Sequence, residues 1–194
     1  SVDGVEVNGH TIEAGADLHA ADLGWVNLAG ADLEGANLRG AHLIGADLEG
    51  ANLTYAHLDG ANLTGANLTG SQIHHASFSG AYLARADFSH ALTTAVDFSD
   101  AELGGATFER SFLTEAILSG ASLGGTNFSE ANIKGAVLED TAFKGTNLQG
   151  AILAACSWSG ATKPSFRGAN LSRALLVEMN LSGLDFSGAN LQSA

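Results

Sequence analysis

One cysteine, one proline and eight basic residues are all that the 194 positions hold of those types. A lone thiol, Cys156, cannot close an intrachain disulfide, so nothing covalent staples the fold. A single proline excludes a polyproline linker or a Pro-rich recognition tract. Eight Lys and Arg face 21 Asp and Glu, a formal charge of −13. Nucleic acid and anionic membranes are bound through basic patches, so neither is expected as a direct partner. No apolar run approaches the roughly 18–20 residues of a membrane-spanning helix, so no membrane contact is expected from this segment. No basic, apolar leader opens the chain, so no signal peptide is expected. The compartment stays open, with the cytoplasm as the default expectation.

What is abundant is periodic. From Ala16 the chain reads ADLHA ADLGW VNLAG ADLEG ANLRG AHLIG, a period of five. The large apolar centre recurs every five residues without a break from Leu18 to Trp158, giving 29 repeats, and again from Phe166 to Leu191, giving six. Thr93 is the one centre of the 35 that is not Leu, Ile, Phe or Trp. Two places before the centre 24 of 35 residues are Ala, one place before it 18 are Asp or Asn, and two places after it stand 19 of the 25 glycines. A period of five matches neither the 3.6 of a helix nor the 2 of a strand. Each repeat therefore reads as one short extended piece followed by one turn. The centre and the small residue two places before it point inward, and the residue between them points out. Glycine two places after the centre suits a turn position with positive φ.

Repeats of the form A(D/N)Lxx resemble the pentapeptide repeat family, over residues 16 to 194. The resemblance implies an all-β fold, a right-handed quadrilateral β-helix (a solenoid) with four repeats per coil. Thirty-five centres then make about nine coils of one domain. Centres twenty apart stack into four faces. Face 1 starts at Leu18, face 2 at Leu23, face 3 at Leu28 and face 4 at Leu33. The stacking predicts phenylalanine columns, notably Phe88, Phe108 and Phe128. Residues 1–15 fall outside the repeat and read as an N-terminal cap over the first coil, with Val5, Val7 and Ile12 available to cover it. Between Trp158 and Phe166 the spacing is eight, which predicts a bulge at 161–163 with Phe166 resuming beneath Phe143. Thr93, with Leu92 turned outward, is a second expected irregularity.

The chain shows no grouping of side chains that chemistry would need. His74 and His75 are the one adjacent histidine pair, and a metal site needs three or four convergent ligands. No catalytic, cofactor-binding or metal-binding residue is expected, and Cys156 falls at an inward position as a buried thiol. Function is thus sought in the outward residues. Six of them are apolar by register where Asp or Asn is the norm: Leu92, Phe112, Ile117, Val137, Ile152 and Leu175. They lie on face 4 and its corner with face 1, and contiguous exposed apolar area marks interfaces. Trp25, Tyr55 and Tyr82 read as isolated. The expectation is a rigid, acidic, non-catalytic rod that meets a protein partner, or itself, through face 4. The resemblance also implies an alternative. Quinolone-resistance members of the family bind DNA gyrase as mimics of duplex DNA. Thirteen net charges over about 43 Å come to roughly half the linear density of the duplex. Neither the long projecting loops nor the dimerising C-terminal segment of those members is expected from these residues, and the repeats are closer to those of uncharacterised cyanobacterial ones.

Overall fold

The computed structural model describes residues 2–160 and 162–194, and among these there is no helix. Parallel β-bridges join outward residues twenty positions apart, as in Asp17↔Asn37↔His57↔Ser77↔Asp97. The bridges fall into four columns, one per face, so the chain winds as a β-helix. β1 (Val5–Val7) and β2 (His10–Ile12) form an antiparallel hairpin ahead of the winding. Two further three-residue strands, β3 (Leu92–Thr94) and β4 (Phe112–Thr114), pair in parallel on face 4. Thr93 thus marks a place where pairing is longer, not one where the winding is disturbed. Its buried hydroxyl donates to the Ile73 carbonyl at 3.0 Å.

The five-residue grammar follows from what five backbone N–H groups require. In the repeat around Leu38, the Leu38 N–H bonds to His57 O and the Gly40 N–H to Asp59 O, one coil on. The Asn37 N–H bonds back to Ala16 O, and the Ala41 N–H closes the corner turn on Leu38 O. One N–H is left, that of Arg39, and the Asn37 side chain takes it. The same bond recurs at every repeat with Asp or Asn at the outward position, with N···O distances of 2.8–3.4 Å. Asp and Asn are there because a short side-chain acceptor reaches the N–H two residues ahead.

Inside, the Ala and Leu columns are sealed from solvent as far as Ala174, whereas the last centres, Leu181 and Leu191, are exposed. Midway along the rod, phenylalanines fill the interior from two opposite walls. Phe88 stacks on Phe108, and Phe108 on Phe128, at 4.8 and 4.9 Å. Phe78 and Phe98 stack on the facing wall and meet that column edge-on at 5.5–5.7 Å. Where Ala is replaced by Thr, the hydroxyl finds a carbonyl, as Thr126 does on Leu103 O at 2.8 Å. Ser71 differs, because its buried hydroxyl has no hydrogen-bond partner among the described residues. Leaving such a group unmade costs about 1–3 kcal/mol. Ser71→Ala is therefore expected to stabilise the fold by about 1 kcal/mol. Thermal denaturation would show that as a Tm rise of about 2–4 °C for a chain of this size.

Where the repeat spacing widens, the face-2 column is kept. Ala142 bridges to Ser165, 23 residues on, and Phe166 stacks under Phe143 at 4.7 Å. Of the expected bulge at 161–163, Ala161 lies outside the described residues.

Candidate interaction surface

Face 4 carries on its outer side the column Asp32, Asn52, Gln72, Leu92, Phe112, Asn132, Ile152 and Leu175, each bridged to the next. Leu92, Phe112 and Leu175 are 43%, 54% and 51% exposed, whereas Ile152 is half-buried. Ile117 and Val137 are consecutive members of the face-1 column and are also half-buried. The six residues singled out by register are thus not one uniform patch. Three project, three lie flatter against the wall, and Asn132 interrupts the apolar run on face 4.

The Asx bonds give this surface its meaning. At each of the six positions an apolar side chain offers no acceptor to the N–H two residues ahead. The hydrogen bond that the Asp and Asn repeats make there is worth about 0.5–1.5 kcal/mol. The outward direction assigned to Asp and Asn from the repeat pattern does not by itself disclose this capping role. The signal is in the sequence, since Asp and Asn three residues before a positive-φ turn position are Asx-turn chemistry.

Charges flank face 4 on both edges. Where the chain enters the face stand Arg110, Glu130 and Arg173, and where it leaves stand Glu115, Lys134 and Glu178. Arg110 Nε lies 2.8 Å from Glu130. The hydrogen bond from Arg110, and then its charge, hold the Glu130 carboxyl below its usual range.

Elsewhere the surface offers little chemistry. An open hollow of about 410 Å³ is lined by Ala155, Cys156, Ser157, Trp158, Glu178 and Asn180. The Cys156 thiol is buried, reaches the Ile133 carbonyl at 3.3 Å, and is pushed up to about 11, first by desolvation. A shift of two units from the usual thiol value leaves about 100-fold less thiolate near pH 8. Ellman's reagent is therefore expected to label the folded chain at least 100-fold more slowly than the urea-unfolded chain. Among the described residues no group of three or more His, Cys, Asp and Glu could hold a metal ion. No helix is long and apolar enough to cross a membrane. Tyr55 is not isolated, since it stacks on His75 with centroids 5.1 Å apart. Trp25, 80% exposed, lies over Gly45, where any side chain would collide with the indole.

A family model described as pentapeptide repeats matches residues 16–54, 46–83, 81–120, 97–135, 121–160 and 165–194, in eight copies. Among solved structures the chain is similar to HetL, a pentapeptide repeat protein involved in heterocyst differentiation regulation from the cyanobacterium Nostoc. The identity is 28%, the alignment covers 93% of this chain and 81% of that one, and the TM-score is 0.52. It is also similar to full-length QnrB1, a plasmid-mediated fluoroquinolone resistance protein, at 19% identity, 85% and 91% coverage, and a TM-score of 0.55. At that identity the likeness speaks for the fold alone. No curated protein sequence matches.

Proposed function

The chain belongs to the pentapeptide repeat family and folds as a right-handed β-helix; from that premise we propose that it is a non-catalytic protein-interaction module whose contact surface is face 4 with its corner to face 1. The finer architecture proposed with it is a quadrilateral rod of about nine coils, topped by residues 1–15 as a cap. Support for the cap comes from Ile12, which is fully buried, and from Asp3, which accepts the Asp32 N–H at 2.7 Å.

One observation carries the functional reading. All eighteen Asp and Asn at the outward position cap a backbone N–H. The apolar residues at 92, 112, 117, 137, 152 and 175 forgo that bond and cluster on two adjacent walls. Among the described residues nine other outward positions, His42, Tyr82 and Ala142 of face 2 included, lack that bond as well; what sets the six apart is that they are bulky and apolar and fall on two adjacent walls, as the residues of a contact site do. The test is the double variant Ile152→Asn, Leu175→Asn. It would extend below Asn132 the kind of amide ladder that Asn147, Asn170 and Asn190 form on face 3. Urea unfolding is expected to give a variant at least as stable as the parent, with a gain of up to about 1 kcal/mol. A loss beyond about 1 kcal/mol would mean that the apolar residues serve folding, and the reading would fall.

A second reading rests on charge. Between residues 16 and 59 stand seven carboxylates and one base, Arg39. Over two coils, roughly 10–11 Å, that is about one net charge per 1.8 Å, close to the duplex value of about 1.7 Å. A gyrase-binding DNA mimic would use this end of the rod. Absence of any effect on gyrase supercoiling at micromolar protein and low salt would exclude it.

A further inference from the structure

We propose that face 4 binds face 4 of a second copy, with the two rods parallel and in register about a two-fold axis along their length. The inference rests on the reading of face 4 as the contact surface and adds the identity and orientation of the partner.

The edge charges carry it. A two-fold axis parallel to the rods brings the entering edge of one copy against the leaving edge of the other, coil by coil. At the Phe112 level Arg110 then meets the partner's Glu115. At the Asn132 level Glu130 meets the partner's Lys134, and at the Leu175 level Arg173 meets the partner's Glu178. Each contact occurs twice. The sign of the entering edge reverses between the first two levels, so a slip of one coil sets Arg110 against Lys134 and Glu130 against Glu115. Register is thereby enforced by repulsion as well as attraction. Antiparallel packing about Asn132 puts Glu130 and Lys134 each against its own copy, and antiparallel packing centred between the Phe112 and Asn132 levels pairs Arg110 with Glu130 and Glu115 with Lys134 but leaves Arg173 and Glu178 unopposed, four contacts against the six of the parallel arrangement.

The centre of the face agrees. Leu92, Phe112, Ile152 and Leu175 would each lie against themselves over four steps, about 19 Å. Asn132 would meet its own copy among them. Asn37, Asn52, Asn67, Asn127, Asn147 and Asn170 each donate Nδ2 to the outward residue one coil above. Above Asn132 stands Phe112, which cannot accept. Among the described residues its Nδ2 has no acceptor, which leaves it able to donate across the axis, and one polar residue in an apolar seam fixes register. An interface of this length falls at the small end of the specific class, so a micromolar dissociation constant is expected.

The experiment uses the full chain with Cys156→Ala and one added cysteine. Leu92→Cys and Leu175→Cys are each expected to form a disulfide with their own copy under mild oxidation. An equimolar mixture of the two is expected to give little mixed product. Predominant mixed product would overturn the parallel arrangement while leaving face 4 as the contact. Sedimentation of the unaltered chain supplies the second arm. Arg173→Glu is expected to weaken association about tenfold, and adding Glu178→Arg to restore it. A chain that stays monomeric at several hundred micromolar, or a charge swap that fails to restore association, would overturn the proposal. Neither result bears on the stability of Ile152→Asn, Leu175→Asn, so failure here is separable from failure of the reading beneath it.

Discussion

Phe108→Ala is expected to lower the unfolding free energy by about 3–5 kcal/mol, the range for a buried phenylalanine truncated in a core. Phe108 is fully sealed, stacks on Phe88 and Phe128 at 4.8 and 4.9 Å, and meets Phe98 edge-on at 5.5 Å. The walls around it cannot close on the space left behind. Each is held to the next coil by backbone bonds near 2.9 Å that fix its position. A site that cannot relax sits at the costly end of the range. The measurement is the shift in the urea midpoint, with the slope unchanged. A loss under 2 kcal/mol would mean that the rod can collapse locally, and that the ladders are less rigid than their bonding implies.

The second large effect comes from adding atoms. Ala86 occupies the inward small position, between Ala66 above and Ala106 below, and all three are sealed. The neighbouring bonds, Asp87 N–H to Ala66 O at 2.9 Å and Thr107 N–H to Ala86 O at 3.0 Å, set how far apart the strands lie. Ala86→Leu must force the rings of Phe88 and its neighbours off their rotamers or break those bonds. Overpacking of a tight core costs about 1–3 kcal/mol, and this site is expected at the upper end. The same substitution at Ala84, which sits at a partly exposed corner, is the control and is expected to change stability by less than about 0.5 kcal/mol.

Much of this was legible in the residues. A bulky centre every fifth position, with Ala two before it, is enough to predict walls, an interior and columns. The phenylalanine columns and the resumption of Phe166 beneath Phe143 follow from counting in twenties. Less legible was what the corners tolerate. Glycine was expected at the positive-φ position, yet Trp25, Tyr55, Arg110 and Glu130 hold φ of 55–60° there as well. The ladder bonds on either side over-determine the corner, so the strain of a non-glycine residue is carried by the fold. The six outward apolar residues could be placed by register, but not their accessibility. Whether Ile152 projects or lies flat depends on neighbours one coil above and below, which no single repeat encodes. The capping role of Asp and Asn is written in the spacing, but it shows only once the one backbone N–H left over in each repeat is identified.

The twenty-residue step also decides what mutations of length can do. A whole coil can be gained or lost with every downstream side chain keeping its wall. A gain or loss of five residues moves everything after it onto the neighbouring column of bridges. Face 4 and its charged edges would then no longer line up as one surface, although each coil would be as well packed as before. The segment from Trp158 to Phe166 shows the other solution, because its three surplus residues leave the angular phase unchanged. The rod is therefore geared. Its length is free to drift in units of twenty, while the azimuth of its contact surface is locked.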